Sequence, residues 1–547
     1  MNDLQSYTIY IVQYGYLLSY YGFSLYVARQ LMGKQRWPKM MGILLTLLVV
    51  SGCGQGSSEA ATTTTPLSLT KAALPTTETE TSPTPTIQIA ASATPLIPAD
   101  IIFYNGDVIT LEEEGVVEAI AIKGDRILAV GTNADILKLQ NDGTNVIDLE
   151  GRAVLPGFFE GHSHILGGSQ QADISLEEAQ EIALSYGWTS LSELSLPSDA
   201  IFHDLTLAED TGSLRIRVNG FIKYNRARID GAGENEVIEF YWRDNPPILD
   251  SDRFFRVVGI KIFVDGTFNG IGRGCPAVTE AFPEGFQEHN AFVTLCQGKE
   301  FGSLYVTQEQ LNAVLKEVQQ AGYRAAMHAR GDRAIDAALD AIEFALNGES
   351  NEKHRHQIHH NELIRPDQIP RYQQLNVLAS LRGTFTSCRV NRYPFFFGEE
   401  RYEFAANYYE LATLLPHAFA EGDFAWTKLP EDAATANPIN PLQNLWGFVT
   451  YKQVADDGSI CEPLPWAAKH EITVEEGLRL LTIAPAYAVS QEDVLGTLLP
   501  GKFADIVILD RNPLSVDPDE IIELSVLLTM VGGNAEFCRG GSEFLCP

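Results

Sequence analysis

Val154-Leu155-Pro156-Gly157-Phe158-Phe159-Glu160-Gly161-His162-Ser163-His164 separates two kinds of sequence. Upstream of it the β-rich runs are short and divided by turn residues. Ile101-Ile102-Phe103-Tyr104 is followed by Asn105-Gly106-Asp107 and then by Val108-Ile109-Thr110. Ala119-Ile120-Ala121-Ile122 and Arg126-Ile127-Leu128-Ala129-Val130 flank a second turn, Lys123-Gly124-Asp125. Asn-Gly and Gly-Asp between such runs are hairpin signals, because tight turns need residues that tolerate positive φ. Residues 100–155 therefore read as a small β-domain. Downstream, strand candidates alternate with helical stretches, the mark of parallel βα units. They are Val154–Phe159, Thr189–Leu194, Arg215–Ile222, Arg256–Val264, Tyr323–His328, Gln357–His360, Val377–Leu381 and His417–Ala420. Helical spacing is clearest over Thr307–Ala321 and Asp332–Leu346, where Ala338, Ile342 and Ala345 share a face. Eight such units within residues 156–490 predict an α/β fold with a (β/α)8 TIM-type barrel. In that architecture the chemistry sits at the C-terminal strand ends.

The first candidate ends in His162-Ser163-His164. Residues two apart on a strand point the same way, so these imidazoles can grip one ion together. The pair is a weak motif by itself. The fourth candidate places Lys261 inside an apolar run and ends at Asp265-Gly266. A lysine there is costly unless it is paired or chemically changed. Lys261 and Asp265 share parity, so both are expected to face the barrel interior, where an ion pair is one outcome. The other is a neutral amine that takes up CO2, giving a carbamate that offers a metal an anionic oxygen. The fifth candidate ends Met327-His328-Ala329-Arg330. The sixth reads His356-Gln357-Ile358-His359-His360, with His356 and His360 on one face and His359 on the other. The eighth leads into Glu421-Gly422-Asp423. Each is an ordinary loop residue in isolation; what matters is their recurrence at successive strand ends.

Two His on strand one, Lys on four, His on five, His on six and Asp on eight resemble the amidohydrolase superfamily, most closely amidohydrolase family 3. The resemblance also rests on Val154-Leu155-Pro156-Gly157-Phe158, on Lys261-Ile262-Phe263-Val264-Asp265-Gly266 and on His328 with Gly331-Asp332-Arg333-Ala334. Its most recognisable segment is Gly496-Thr497-Leu498-Leu499-Pro500-Gly501-Lys502-Phe503-Ala504-Asp505. What it implies is a β-sandwich built from both chain ends, with residues 491–547 returning to the strands begun at Ile101. It also implies one or two divalent ions, most often zinc, bound by His162, His164, Lys261, His328 and His360; a carbamylated Lys261 is one form that ligand can take. Asp423 would be the general base in hydrolysis of a carbon–nitrogen bond such as an N-acyl or N-formyl amide. The chain departs from the pattern at Gly422-Asp423, where Gly-Ser-Asp is usual, and in a shorter connection from His164 to Thr189. Arg382 and Arg389 stand where relatives often carry Gln and His. With Arg330 and Asp265 they are the candidates for substrate contact, since guanidinium pairs well with carboxylate. Alternatives on the same scaffold are an ester or lactone hydrolase and a deaminase. A solute-binding lipoprotein without catalysis is a different class, and metal ligands argue against it.

The net charge of −32 over 547 residues repels phosphate backbones, so nucleic acid is not an expected partner and a small molecule is. At the N-terminus Met32-Gly33-Lys34-Gln35-Arg36 precedes an apolar run from Met40 to Val50, then Ser51-Gly52-Cys53. A basic start, a short apolar stretch and small residues make a secretory signal. The run is too short for a membrane span, and Cys53 resembles the lipidated cysteine of bacterial lipoproteins. The expectation is an extracytoplasmic protein anchored through Cys53, with a plain signal peptide as the alternative. Residues 1–31 read as a start assigned too early or an extra membrane segment. Residues 54–99, rich in Thr, Pro, Ser and Ala, read as a disordered tether. Setting Cys53 aside leaves six of the seven cysteines, for which export permits disulfides. Cys538–Cys546 and Cys275–Cys296 are the suggested pairs, free thiols the alternative.

Overall fold

The computed structural model describes residues 97–169, 173–196, 199–224, 241–243, 245–267, 275–282, 300–391, 407–415, 417–424, 439–455, 457–465 and 472–547. The signal region, Cys53, most of the tether and Cys296 lie outside them, as does the side chain of Arg389. The first strands are β1 (Ile101–Tyr104), β2 (Asp107–Ile109), β3 (Val116–Val117), β4 (Ala119–Lys123), β5 (Arg126–Gly131), β6 (Asn145–Asp148) and β7 (Ala153–Pro156). Eight further strands follow in order: β8 (Phe158–Ser163), β9 (Trp188–Leu196), β10 (Arg217–Lys223), β11 (Phe255–Phe263), β12 (Arg324–Ala329), β13 (Gln357–His360), β14 (Leu378–Leu381) and β15 (Phe419–Ala420). The chain ends with β16 (Gln453–Val454), β17 (Ile460–Cys461), β18 (Ile506–Leu509), β19 (Val526–Val531) and β20 (Asn534–Cys538).

β8 to β15 form one sheet in sequential order, each neighbouring pair parallel. A parallel bridge from Ser163 to Phe424 brings its two edges together. At that seam His164 N donates to Phe424 O at 3.1 Å and Asp423 N to His162 O at 2.8 Å. Closure of the barrel and placement of His162, His164 and Asp423 are thus one event. Helices lie between the strands, among them α1 (Ile165–Ser169), α2 (Leu176–Ser185), α3 (Asp199–Asp210), α4 (Gln308–Gln320) and α5 (Asp332–Leu346). Their starts are written locally: Ser175 caps α2, and Thr307 with Gln310 forms a capping box on α4.

The remaining strands make a β16-β17 pair and two larger sheets, ordered β5-β4-β1-β6 and β20-β19-β18-β7-β2-β3. Phe103, Ile120, Ile122 and Ile147 from the first pack on Val108, Val154, Ile506, Ile508, Leu528 and Met530 from the second, so the two form a sandwich from both chain ends. In β7, Val154 enters that core while Ala153 and Leu155 enter the barrel's outer core. This corrects the reading of Val154–Phe159 as a single barrel strand: β7 belongs to the sandwich and the barrel begins at Phe158. Gly157 marks the switch, since a Cβ there would fall 2.3 Å from Thr189. Ala99 is already buried, its N–H bonded to Leu139 O at 2.8 Å, so folded structure begins inside the expected tether. Buried Arg217 on β10 holds Asp505, just before β18, through bonds of 2.8 and 3.1 Å. Cys538–Cys546 is a disulfide as expected, Cys388–Cys461 is a second, and Cys275 is also disulfide-bonded.

Candidate active site

The C-terminal ends of β8, β11, β13 and the segment after β15 converge on His162. Its Nε2 lies 3.3 Å from Lys261 Nζ and 3.6 Å from Asp423 Oδ1. His164 Nε2 lies 3.3 Å from the same carboxylate oxygen. Asp423 Oδ2 meets Arg382 Nη2 and lies 3.4 Å from Arg330 Nη2. On its other edge, His162 Nδ1 is 2.9 Å from His359 Nδ1 and 3.2 Å from Glu421 Oε2. Glu421 Oε1 is 2.7 Å from His360 Nδ1, and Ser380 donates its hydroxyl to Oε2. The His360 ring lies 4.8 Å from that of His162 and 4.5 Å from that of His328.

Backbone geometry puts these groups there. Asp423 (φ 48°), His360 (φ 79°) and Asn361 (φ 48°) occupy the left-handed region, which is costly without a β-carbon-free residue. Compensation is visible at strand β13: His360 N donates to Ser380 Oγ at 3.0 Å, and Asn361 Nδ2 donates to Ile358 O and Ser380 O. Glu160 Oε1 accepts from His162 N and Gly422 N, clamping the barrel seam from within at 2.9 and 2.8 Å. Burial pushes its carboxyl up to about 8 against those two bonds.

Electrostatically the pocket suits a cation. Desolvation holds His162 and His360 well below the usual imidazole range, and His359 falls to about 4 for the same reason. Burial alone would raise Glu421, but His360 and the hydrogen bonds from His162 and His360 outweigh it and hold it well below the usual carboxylate range. Neutral imidazoles beside anionic oxygens are the donor set that borderline divalent ions take. His162, His164 and Asp423 offer ligand atoms all within 4.8 Å of one another, so these residues fit a divalent metal. Exposure is one-sided: His162 is 1% exposed, whereas His164 and Asp423 are 14% and 18% exposed. Among the described residues, solvent reaches the group on their side.

Of the residues singled out in the sequence, His162, His164, Lys261 and Asp423 come into direct contact, and His360 joins through Glu421. His328 stands beyond His360, its Nε2 3.0 Å from Gly266 O. Two expectations need correction. Alternation in β13 sends Gln357 and His359 inward, and the left-handed turn at His360 re-aims that ring inward as well. His359 is therefore in the site, while His356 faces outward, bonded to Ala325 N and Gln319. Asp265 is fully buried and accepts the amides of Ala277, Arg330 and Gly331 at 2.9 to 3.0 Å, so it fixes loops and does not face a substrate. Arg330 and Arg382 are inside the site but are engaged by protein carboxylates; Arg330 Nη1 also bonds Glu362 at 2.7 Å. Glu421 and Ser380 also belong to the site, outside the ligand pattern that the sequence shows. The only sequence signal for Glu421 was its place two residues before Asp423.

A family model described as Amidohydrolase family (Amidohydro_3) matches residues 208–535. The chain is 23% identical over 548 residues to Protein LONG AFTER FAR-RED 3 of Arabidopsis thaliana, covering 80% of this chain and 91% of that one. It is 26% identical over 284 residues to an N-substituted formamide deformylase of Arthrobacter pascens, covering 52% and 46% of the two chains. An uncharacterized metal-dependent hydrolase from Pyrococcus furiosus superposes with a TM-score of 0.58 at 20% identity, over 76% of this chain and 100% of that one. At such identity the superposition speaks for the fold alone. The family match, over most of the barrel and the returning strands, shows that this chain belongs to the amidohydrolase family.

Proposed function

We propose that the protein is a metal-dependent hydrolase that cleaves a non-peptide carbon–nitrogen bond, with an N-acyl or N-formyl amide as substrate class. The observation that carries this reading is the approach of His162 Nε2 and His164 Nε2 to Asp423 Oδ1, with Lys261 Nζ against His162 Nε2. Family membership supports hydrolysis, and the similarity to a protein named N-substituted formamide deformylase supports the amide class. His162, His164 and Asp423 would hold a divalent ion, zinc by donor chemistry, with Lys261, His328 and His360 completing the set and Lys261 as its carbamate. When bound, that ion supplies acidity that makes water nucleophilic at neutral pH and polarises the carbonyl.

The chain's own residues do the rest. Arg382 and Arg330 hold Asp423 Oδ2, which leaves Oδ1 turned towards the histidines. Asp423 takes the proton of the attacking water at that oxygen and passes it to the departing nitrogen. Among the described residues, Lys261, His162 and Glu421 form the buried inner wall, and the site opens past His164 and Asp423. The export signal supports a further proposal, that the protein is held outside the cytoplasm by lipid on Cys53; a palmitate label that survives in a Cys53→Ala variant would remove it. For the activity, the purified chain is assayed with N-formyl, N-acyl, ester and lactone compounds, before and after chelation. Chelator-sensitive release of formate or carboxylate from amides is expected. Turnover of esters or lactones alone, or turnover indifferent to chelation, would refute the reading.

A further inference from the structure

Two overlapping donor groups share His162: one with His164 and Asp423, the other with His359 and Glu421. A neutral imidazole carries one proton and offers a metal only its bare nitrogen. The hydrogen bonds decide which nitrogen that is. Gln357 Nε2 donates to Ala488 O, which turns its Oε1 to His359 Nε2 at 2.8 Å. That oxygen only accepts, so His359 carries its proton on Nε2 and has a bare Nδ1. His162 Nδ1 faces this bare nitrogen at 2.9 Å and Glu421 Oε2 at 3.2 Å, two acceptors. The His162 proton is therefore on Nδ1, and its bare Nε2 points at Lys261 and Asp423. His360 repeats the arrangement, with Nδ1 2.7 Å from Glu421 Oε1.

The geometry points to Glu421 as the residue that sets the metal-ready tautomers of two ligands at once, His162 through Oε2 and His360 through Oε1. The His162–His359–Glu421 group is then the support of the metal site and not a second one. This rests on the metal-dependent reading above. Glu421 is a positioning residue, acting through the imidazoles. Its role needs a carboxylate, because an amide of the same shape accepts at one end and donates at the other. Glu421→Gln turns an amide N–H towards one of the two rings: at His360 that forces the ring proton onto Nε2, the nitrogen the metal needs, and at His162 it leaves His359 Nδ1 to hold the proton on Nδ1 without the carboxylate. Outer partners of this kind are worth about 10- to 100-fold in metal affinity.

The test is the zinc dissociation constant of the full chain, by chelator competition at fixed pH, with the zinc stoichiometry at saturation. Melting of the metal-free protein is followed alongside. Glu421→Gln is expected to weaken zinc by about 10- to 100-fold, with the number of ions per chain and the fold unchanged. Glu421→Asp, which keeps two acceptors, is expected to recover most of the affinity. Unchanged affinity in the Gln variant, or equal loss in the Gln and Asp variants, overturns the inference while wild-type zinc binding stands. Loss of one whole ion per chain overturns it too, by marking a second metal site. A wild-type chain that binds no zinc overturns the metal-dependent reading and this inference together. Should the Gln variant not fold, Asp against Asn at position 421 gives the same contrast.

Discussion

Replacing His356 with Asn should make stability less sensitive to acid by an amount the structure sets. His356 is fully buried, accepts Ala325 N–H on Nδ1 at 3.0 Å and meets Gln319 Oε1 through Nε2 at 3.1 Å. Both nitrogens are committed to the neutral ring, and burial lowers its pKa to about 3. The unfolded chain titrates near the ordinary imidazole value of about 6.5, so below that pH it binds a proton the native state refuses. This contribution to stability is whole above about 6.5 and is lost as pH falls towards 3. Between pH 7 and pH 5 the loss integrates to about 2 kcal/mol. In His356→Asn the Gln319 bond goes, at a cost of about 1–3 kcal/mol at pH 7, but so does the titration. The wild-type advantage should therefore shrink by about 2 kcal/mol on going to pH 5. Urea unfolding of metal-free protein at both pH values reads this directly, and other titrating groups cancel in the difference. A stability gap that is the same at pH 7 and pH 5 would refute the reasoning.

Asp423→Asn should lower turnover of any accepted substrate about 10²- to 10⁴-fold, while zinc analysis still finds bound metal; full activity would remove Asp423 from proton transfer. Asp505→Ala strands the buried Arg217 guanidinium between barrel and sandwich, and should cost about 3–5 kcal/mol in urea unfolding. A loss under 1 kcal/mol would show that solvent reaches the pair. Gly157→Ala forces a methyl against Thr189 and should cost about 1–3 kcal/mol by the same measurement.

Much of the barrel is legible because local signals and packing agree. The helix within Thr307–Ala321, the helix Asp332–Leu346 and the strand Gln357–His360 fall where the sequence pattern puts them. What sequence could not show depends on contacts between distant segments. Gly157 ends one sheet and begins another because Thr189 crowds it, and no periodicity reports that. Alternation identified two faces in β13 but not which one is inward, and the turn at His360 lets a residue of the outward set enter the site. Parity predicts an interior position for Asp265, but its partners are backbone amides from loops that sequence cannot position. Glu421 is defined by partners on three other strands, so its role appears only when the sheet has closed.

Diffraction from crystals grown with zinc, recorded at the zinc absorption edge, locates the ion without reference to any substrate. An anomalous peak within bonding distance of His162 Nε2, His164 Nε2 and Asp423 Oδ1 is what the account predicts. A peak seated on His162 Nδ1, His359 and Glu421, or none near these imidazoles, would contradict it.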